Sequence, residues 1–218
     1  DRSFWLQSIG ADPVTAPLSG QHQCDIAIVG GGYAGLWTAL RLREQDPKAR
    51  ITILEADFCG SGASGRNGGQ VHSWFAEIDI LRDLVGDEDA RMLCQATCDA
   101  IEELKVLQDS GIIDMDLRLD GWLWTASSLA QERAWDEALE ICRKSAFNPF
   151  KTLNAHDIER RTGSSASYVG IVEERAGTVQ PAKLALGLRK LAMAKGIVIH
   201  ERSPVLEMVL GERPELKT

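Results

Sequence analysis

No stretch of the 218-residue chain approaches the ~20 consecutive apolar residues that a membrane-spanning helix needs. The first twenty residues, DRSFWLQSIGADPVTAPLSG, also lack the basic start and apolar core of a secretory leader, so a soluble, unexported, cytoplasmic protein is expected. Basic residues are in the minority, 24 against 32 acidic, for a net charge of −8. Such a surface has no long-range attraction for phosphodiester backbones or anionic lipid, and nucleic acid is not an expected partner. The five cysteines (Cys24, Cys59, Cys94, Cys98 and Cys142) are odd in number and show no C-x-x-C spacing. Reduced thiols are therefore expected rather than a disulfide framework. Cys94 and Cys98 lie four apart on an expected helix, yet no His or acid joins them at ligand spacing, and no metal is expected. Internal repeats and low-complexity tracts are missing too. With 44% hydrophobic and 26% charged residues, the chain has the composition of a globular protein with one or two cores.

What is present is an α/β pattern. CDIAIVGGG reads as a buried strand ending in glycines, and YAGLWTALRLREQ as a helix stopped by Asp46 and Pro47. ARITILEAD reads as a second strand, which makes a right-handed βαβ unit. DEDARMLCQATCDAIEELKVLQDSG has the stripe of a long amphipathic helix, and DLRLDGWLWTAS alternates as a strand. SLAQERAWDEALEICRKS and NAHDIERRTG read as helices, the second stopped by Gly163. YVGIVEE reads as a strand followed by a turn at Gly177. PAKLALGLRKLAMAKG is a helix opened by Pro181, IVIHE a strand, and VLEMVLGERPELKT a hairpin. Residues 1–23 read as an irregular arm, anchored by Phe4 and Trp5. The interruption of βαβ order predicts a doubly wound, Rossmann-like sheet with an inserted mixed α+β domain. Only three sheet strands are visible (26–29, 51–54 and 197–200), fewer than such a sheet usually holds, so the sequence reads as a fragment incomplete at its carboxyl end.

Gly30, Gly32 and Gly35 form G-x-G-x-x-G at the first strand-to-helix turn. Gly30 permits the tight turn, Gly32 lets backbone approach a pyrophosphate, and Gly35 lets the helix pack closely on the strand. The helix from Tyr33 is expected to present free N–H groups, those of Tyr33 and Ala34 among them, to the anion. Glu55 follows the second strand, 55 − 35 = 20 residues beyond the last glycine. Its carboxylate suits ribose hydroxyls and repels a 2′-phosphate, which disfavours NADP. A second loop, GSGASGRNGGQ from Gly60 to Gln70, carries five glycines in eleven residues. It follows the ribose-binding acid, where ligands lie at the carboxyl ends of strands, and a nicotinamide enzyme has no use for it. Ser61, Ser64 and Asn67 offer short polar groups there, and Arg66 a bidentate cation for phosphate or a carboxylate substrate.

On these residues, IAIVGGGYAGLWTALRL, ITILEA and GASGRNGGQV, the chain resembles the FAD-dependent amine and amino-acid oxidases of the D-amino-acid oxidase and glycine oxidase superfamily, nearest to their gamma-glutamylputrescine oxidase-like branch. DGWLWTA, GTVQPAKLALGLRKLAMAKG and IHERSPVLEMV extend the resemblance over the chain from Phe4 onward. It implies FAD as cofactor, held at Gly30, Gly32, Tyr33, Ala34, Gly35, Glu55 and Ala56. It also implies that Gly62, Ala63, Ser64, Asn67, Gly68 and Gly69 run toward the ribityl chain and flavin ring, and that Val205 meets the adenine through its backbone. The implied domains are an arm (1–23), a first FAD-binding part (24–110), a partial substrate-domain insertion (111–174) and a truncated second FAD-binding part (175–218).

The resemblance further implies that flavin N5 accepts a hydride from the amine-bearing carbon, that water hydrolyses the imine, and that O₂ reoxidises the flavin to give H₂O₂. FAD carries the hard chemistry, so no Ser-His-Asp or metal constellation is required. Arg66 and Asn67 are the expected active-site residues beside a small amine or amino acid, with bonding of FAD or loop backbone as their alternative role. Relatives sometimes attach FAD covalently to a His or a Cys, which makes His72 and Cys59 the positions to check. Trp122 and Trp124 fit either a pocket wall or a two-sided core strand. Two other readings stay open: a nicotinamide-linked dehydrogenase, and a non-catalytic FAD-binding subunit. Oligomeric state is not readable.

Overall fold

The computed structural model describes residues 3–10, 13–145 and 147–218; residues 1–2 and 11–12 of the expected arm lie outside them. In chain order the elements are α1 (Phe4–Ser8), β1 (Ile26–Val29), α2 (Tyr33–Gln45), β2 (Ile51–Leu54), β3 (Gln70–Val71), α3 (Ile78–Val85), α4 (Asp87–Asp109), β4 (Trp122–Ala126) and α5 (Asp136–Lys144). They continue with β5 (Phe150–Asn154), α6 (Ala155–Thr162), β6 (Val169–Glu173), β7 (Gly177–Thr178), α7 (Pro181–Ala194), β8 (Val198–His200), β9 (Glu207–Val209) and β10 (Glu215–Lys217). Two compact units result. The first holds the described residues up to Gly69 with Gln108–Asp116 and Gln180–Thr218, and the second holds Gln70–Leu107 and Leu117–Val179. The long helix α4 lies almost wholly in the second unit. Among the described residues no helix is long and apolar enough to cross a membrane.

The first unit is built on three parallel strands in the order β1-β2-β8, with Ile26 opposite Ile51 and Thr52 opposite Val198. The central β2 is the most buried, while β1 alternates between half-buried and exposed positions and β8 buries only Ile199. That gradient follows from position, because only a central strand is covered along both edges. Leu36 and Leu40 of α2 and Leu184 and Leu188 of α7 join Ile51 and Ile53 in the core. Helix α2 ends as expected at Asp46, which leaves the helical region and whose Oδ1 accepts the Lys48 N–H. Helix α7 begins with Pro181 at its first position, and the Gln180 side chain accepts the Lys183 N–H at 2.9 Å. The expected hairpin is β9 with β10, antiparallel, Glu215 opposite Val209.

Within the expected irregular arm, Phe4–Ser8 form the helix α1. Ser3 caps α1, and Leu6, rather than Phe4, is the anchoring side chain: Leu6 is buried and Phe4 is exposed. A five-residue helix presents one face to the protein, and that face falls on Leu6.

The second unit centres on the antiparallel sheet β4-β6-β5. Its strand β4 is two-sided. Trp122 and Trp124 pack with Phe75, Cys94, Cys98, Trp135 and Ile171, while Leu123 packs with Leu153, Ile158 and Val172 on the other face. The core-strand reading of the two tryptophans is therefore the observed one. Helix α6 is capped by Asn154, whose Oδ1 accepts the Asp157 N–H, and stops at Gly163 in the left-handed region, as expected. The helix expected over 128–145 begins only at Asp136, because Ser128–Trp135 is a series of turns with Arg133 at φ +76°. Strand β5 and helix α3 carry no counterpart in the sequence reading, and Gly177, expected in a turn, is part of the two-residue strand β7.

Candidate cofactor site

Both glycine loops of the first unit sit at the carboxyl ends of the parallel strands. Gly30 follows β1 and donates its N–H to Leu54 O at 2.8 Å, and Glu55 follows β2 and donates to His200 O at 2.9 Å. Gly30 turns the chain at φ +102°, a conformation costly for any other residue. At Gly35 a Cβ would run into the Gly30 carbonyl, so the absence of a side chain sets how closely α2 approaches β1.

The amino terminus of α2 departs from expectation in one respect. The Tyr33 N–H is not free: it donates to Ser64 Oγ at 2.8 Å, so the second loop caps the first helix turn. Gly32, the N-cap, has no side chain to do so. Glu55 is turned toward the same place, its Oε2 accepting the Gly31 N–H at 2.7 Å and its Oε1 the Asp57 N–H at 2.9 Å. Carboxylate, helix terminus and both loops thus converge on one edge of the sheet.

The second loop is held mostly by its own polar groups. Asn67 Oδ1 accepts the Gly69 N–H at 2.8 Å while its Nδ2 donates to the carbonyls of Ala63 and Ser64. Arg66 Nε donates to Ser61 O at 2.6 Å, and Ser3 Oγ donates to Gly65 O at 2.6 Å. Gly60 donates to Gly31 O at 3.1 Å, which fastens loop to loop. Burial pushes the Tyr33 hydroxyl up, with Asn67 acting in the opposite sense, and that hydroxyl donates to Pro181 O at 2.9 Å. Arg66 also lines a cavity of about 390 Å³ with Leu6, Pro13, Asp57, Arg189 and Arg202, to which neither Glu55 nor the Gly30–Gly35 turn contributes.

These residues fit a dinucleotide. Cβ atoms built on Gly30, Gly62 and Gly68 would meet nothing within 4 Å, so the backbone there borders open space. Ala34, Ala56, Gly62, Ala63, Asn67 and Gly68 are exposed. Val205 is half-buried, two residues past Ser203, whose N–H donates to Glu55 O at 2.8 Å. Sequence reasoning missed Glu201, a fully buried carboxylate in the same segment, and the specific partnership of Ser64 with Tyr33.

His72 belongs to the second unit, where its ring stacks on Trp122 at 5.4 Å and its Nδ1 bonds Ser73 O. Cys59 is fully buried, and burial, with the Glu201 carboxylate beside it, pushes its thiol up to about 12. A thiol in that state is a poor nucleophile. Iodoacetamide at pH 8 is accordingly expected to alkylate the partly exposed Cys24 at least ~10-fold faster than Cys59 in the folded protein. Peptide mass analysis at timed quench points measures it.

The family model described as FAD dependent oxidoreductase matches residues 25–216. A gamma-glutamylputrescine oxidoreductase of Escherichia coli is 32% identical over 186 residues, 85% of this chain and 43% of that protein. A probable oxidoreductase OrdL of Haemophilus influenzae is 30% identical, over 95% of this chain and 48% of its own length. The chain thus spans about half the length of the curated relatives it matches. Among solved structures, an L-amino acid deaminase from Proteus myxofaciens superposes over 97% of this chain and 44% of its own with a TM-score of 0.75 at 19% identity. A glycine oxidase from Bacillus cereus covers 87% of this chain and 49% of its own, with a TM-score of 0.69 at 18% identity. With the family match running over nearly the whole chain, on a fold whose two glycine loops and acidic residue converge at one sheet edge, the chain belongs to the family of FAD-dependent oxidoreductases.

Proposed function

We propose that this chain contributes the FAD-binding part, and a share of the substrate domain, of an oxidoreductase that oxidises a small amine or amino acid. The observation that carries the reading is the convergence of Glu55, the α2 terminus and the Ser64 loop on the carboxyl edge of the parallel sheet. When bound, FAD would supply the redox chemistry, hydride acceptance from the amine-bearing carbon followed by reoxidation by O₂ to H₂O₂. The chain's own residues bind and orient. Glu55 accepts the ribose hydroxyls, the Gly30–Gly35 turn and α2 terminus receive the pyrophosphate, and Gly62–Gly69 runs along the ribityl chain toward the ring. Val205 meets the adenine through its backbone. Asn67 and Arg66 act first by shaping this loop, since their polar atoms bond its carbonyls and amides. The Arg66 guanidinium is also a bidentate cation of the kind that suits a substrate carboxylate.

The substrate class rests on the relatives, which are named for gamma-glutamylputrescine and glycine. The test is reconstitution with FAD of the full-length oxidoreductase to which this chain contributes. A yellow, FAD-loaded protein that releases H₂O₂ with one of a panel of D-amino acids, N-methyl amino acids and polyamine conjugates is the expected result. A folded protein that takes up NADH and no FAD overturns the reading, as does turnover of 2-hydroxy acids alone. Within it, Glu55→Ala is expected to weaken FAD binding by roughly 10- to 100-fold, the worth of one or two charge-assisted hydrogen bonds. Fluorescence titration of the flavin measures the change.

A further inference from the structure

Glu201 is a buried carboxylate surrounded by donors, all of them in the first unit. Its Oε1 accepts the Cys59 N–H at 2.8 Å and Arg189 Nε at 3.1 Å. Its Oε2 accepts the Thr15 N–H at 2.6 Å and Arg189 Nη2 at 2.9 Å. Both partners of the ion pair are shut away from water, with side chains 6% and 1% exposed for Arg189 and Glu201. Burial alone would raise the Glu201 carboxyl, but the N–H donors of Cys59 and Thr15 and the Arg189 guanidinium outweigh it and hold the group below the ordinary carboxylate value.

The position of this pair gives it a consequence at the cofactor loops. Glu201 directly follows β8, and the next two residues donate backbone N–H groups to Asp57 O and Glu55 O, each at 2.8 Å. Residues 201–203 are therefore fastened to 55–59 at three points, two by backbone and one by the Glu201 carboxylate. Beyond Cys59 the Gly60 N–H reaches Gly31 O, and the Cys59 sulfur occupies the space that a Cβ on Gly31 would need. Gly31 in turn donates to Glu55. A route of direct contacts runs from Arg189 through Glu201 and Cys59 to the Gly31 peptide and the Glu55 carboxylate. Removing the charge at its origin leaves Cys59 free to move, and with it the peptide that fixes where Glu55 points.

We infer that the Arg189–Glu201 pair is the positioning latch of the cofactor site, setting the relative placement of the Glu55 carboxylate and the two glycine loops while touching no ligand itself. The inference rests on the FAD-binding reading above. Conserving shape but not charge tests it, since an amide nitrogen introduced there must face the Arg189 guanidinium and either the Cys59 or the Thr15 N–H, with the Thr15 hydroxyl as the one group able to accept from it.

The experiment compares FAD dissociation constants and backbone amide exchange in four forms of the full protein: wild type, Glu201→Gln, Arg189→Lys and Leu188→Ala. Leu188 is fully buried on the same helix, so its truncation lowers stability without touching the route. Glu201→Gln is expected to weaken FAD binding by about 10-fold or more and Arg189→Lys by about 3- to 10-fold. Both are expected to speed exchange in peptides spanning 56–61. Leu188→Ala is expected to lower the melting temperature yet change the dissociation constant by less than about 2-fold, which a merely structural role of the pair would not allow. Where Glu201→Gln does not fold, Arg189→Lys, which keeps the charge, decides. Folded variants that bind FAD like wild type overturn the latch, as does Leu188→Ala weakening FAD in proportion to its lost stability. A folded wild type that binds no FAD overturns the functional reading itself, and the latch with it.

Discussion

Gly35→Ala is expected to destabilise the first unit by about 2 kcal/mol, where the same exchange at an exposed helix position would stabilise by about 1 kcal/mol. The reversed sign comes from geometry. A Cβ at Gly35 collides with the Gly30 carbonyl, and Ile28 Cγ2 lies 3.3 Å away, so backbone and strand must both shift. Gly211, exposed between β9 and β10, offers the control: an added Cβ there meets nothing within 4 Å. Gly211→Ala is therefore expected to cost less than Gly35→Ala. Urea denaturation followed by far-ultraviolet circular dichroism gives both values, and a Gly35→Ala variant as stable as wild type refutes the close-packing role. The functional effect is expected to exceed the stability effect. Relaxing the clash moves α2 off β1 and displaces the Tyr33 N–H from Ser64, so flavin fluorescence titration should show FAD affinity falling by at least ~10-fold.

The legibility of this site from sequence divides along physical lines. The first loop, Glu55 and α7 were readable because local rules govern them: a glycine at positive φ, a fixed spacing after a strand, a proline at a helix start. Ser64 was visible as a short polar residue, but its acceptance of the Tyr33 N–H spans 31 positions and has no local signature. Strand β5 escaped because FKTLN has neither a β-branched run nor apolar alternation; it is a strand because β6 pairs with it, Phe150 opposite Glu173. The helix expected from Ser128 starts late because Arg133 takes a left-handed conformation that no propensity favours. Glu201 was the least legible. Its partners Thr15, Cys59 and Arg189 lie 186, 142 and 12 residues away, and a glutamate in HERSP reads as surface charge until the fold encloses it.

Arg189→Met follows from that enclosure and is expected to have the largest effect on stability, about 3–5 kcal/mol, the usual cost of leaving one member of a buried ion pair without the other. The Cys59 and Thr15 amides still serve the carboxylate, which places the value toward the lower end of that range. Replacing both members by apolar residues often restores stability at buried pairs. Here it is not expected to. In Arg189→Met/Glu201→Met the two backbone N–H groups lose their acceptor inside the protein, each at about 1–3 kcal/mol. Acid unfolding supplies a second measure. The Glu201 carboxyl is held below its ordinary value of 4.5 in the folded protein, so its contribution is complete above that pH and is lost as pH falls through the folded value. Arg189→Met removes one of the groups holding it down, and its folded value rises. The acid-induced loss of stability from this carboxyl is therefore expected to be smaller in the variant than in wild type and to end at a higher pH, while Glu201→Gln lacks this titration altogether. Melting temperatures from pH 7 to pH 3 separate the three profiles, and coincident wild-type and Arg189→Met profiles would show that the guanidinium does not hold the carboxylate in its charged form.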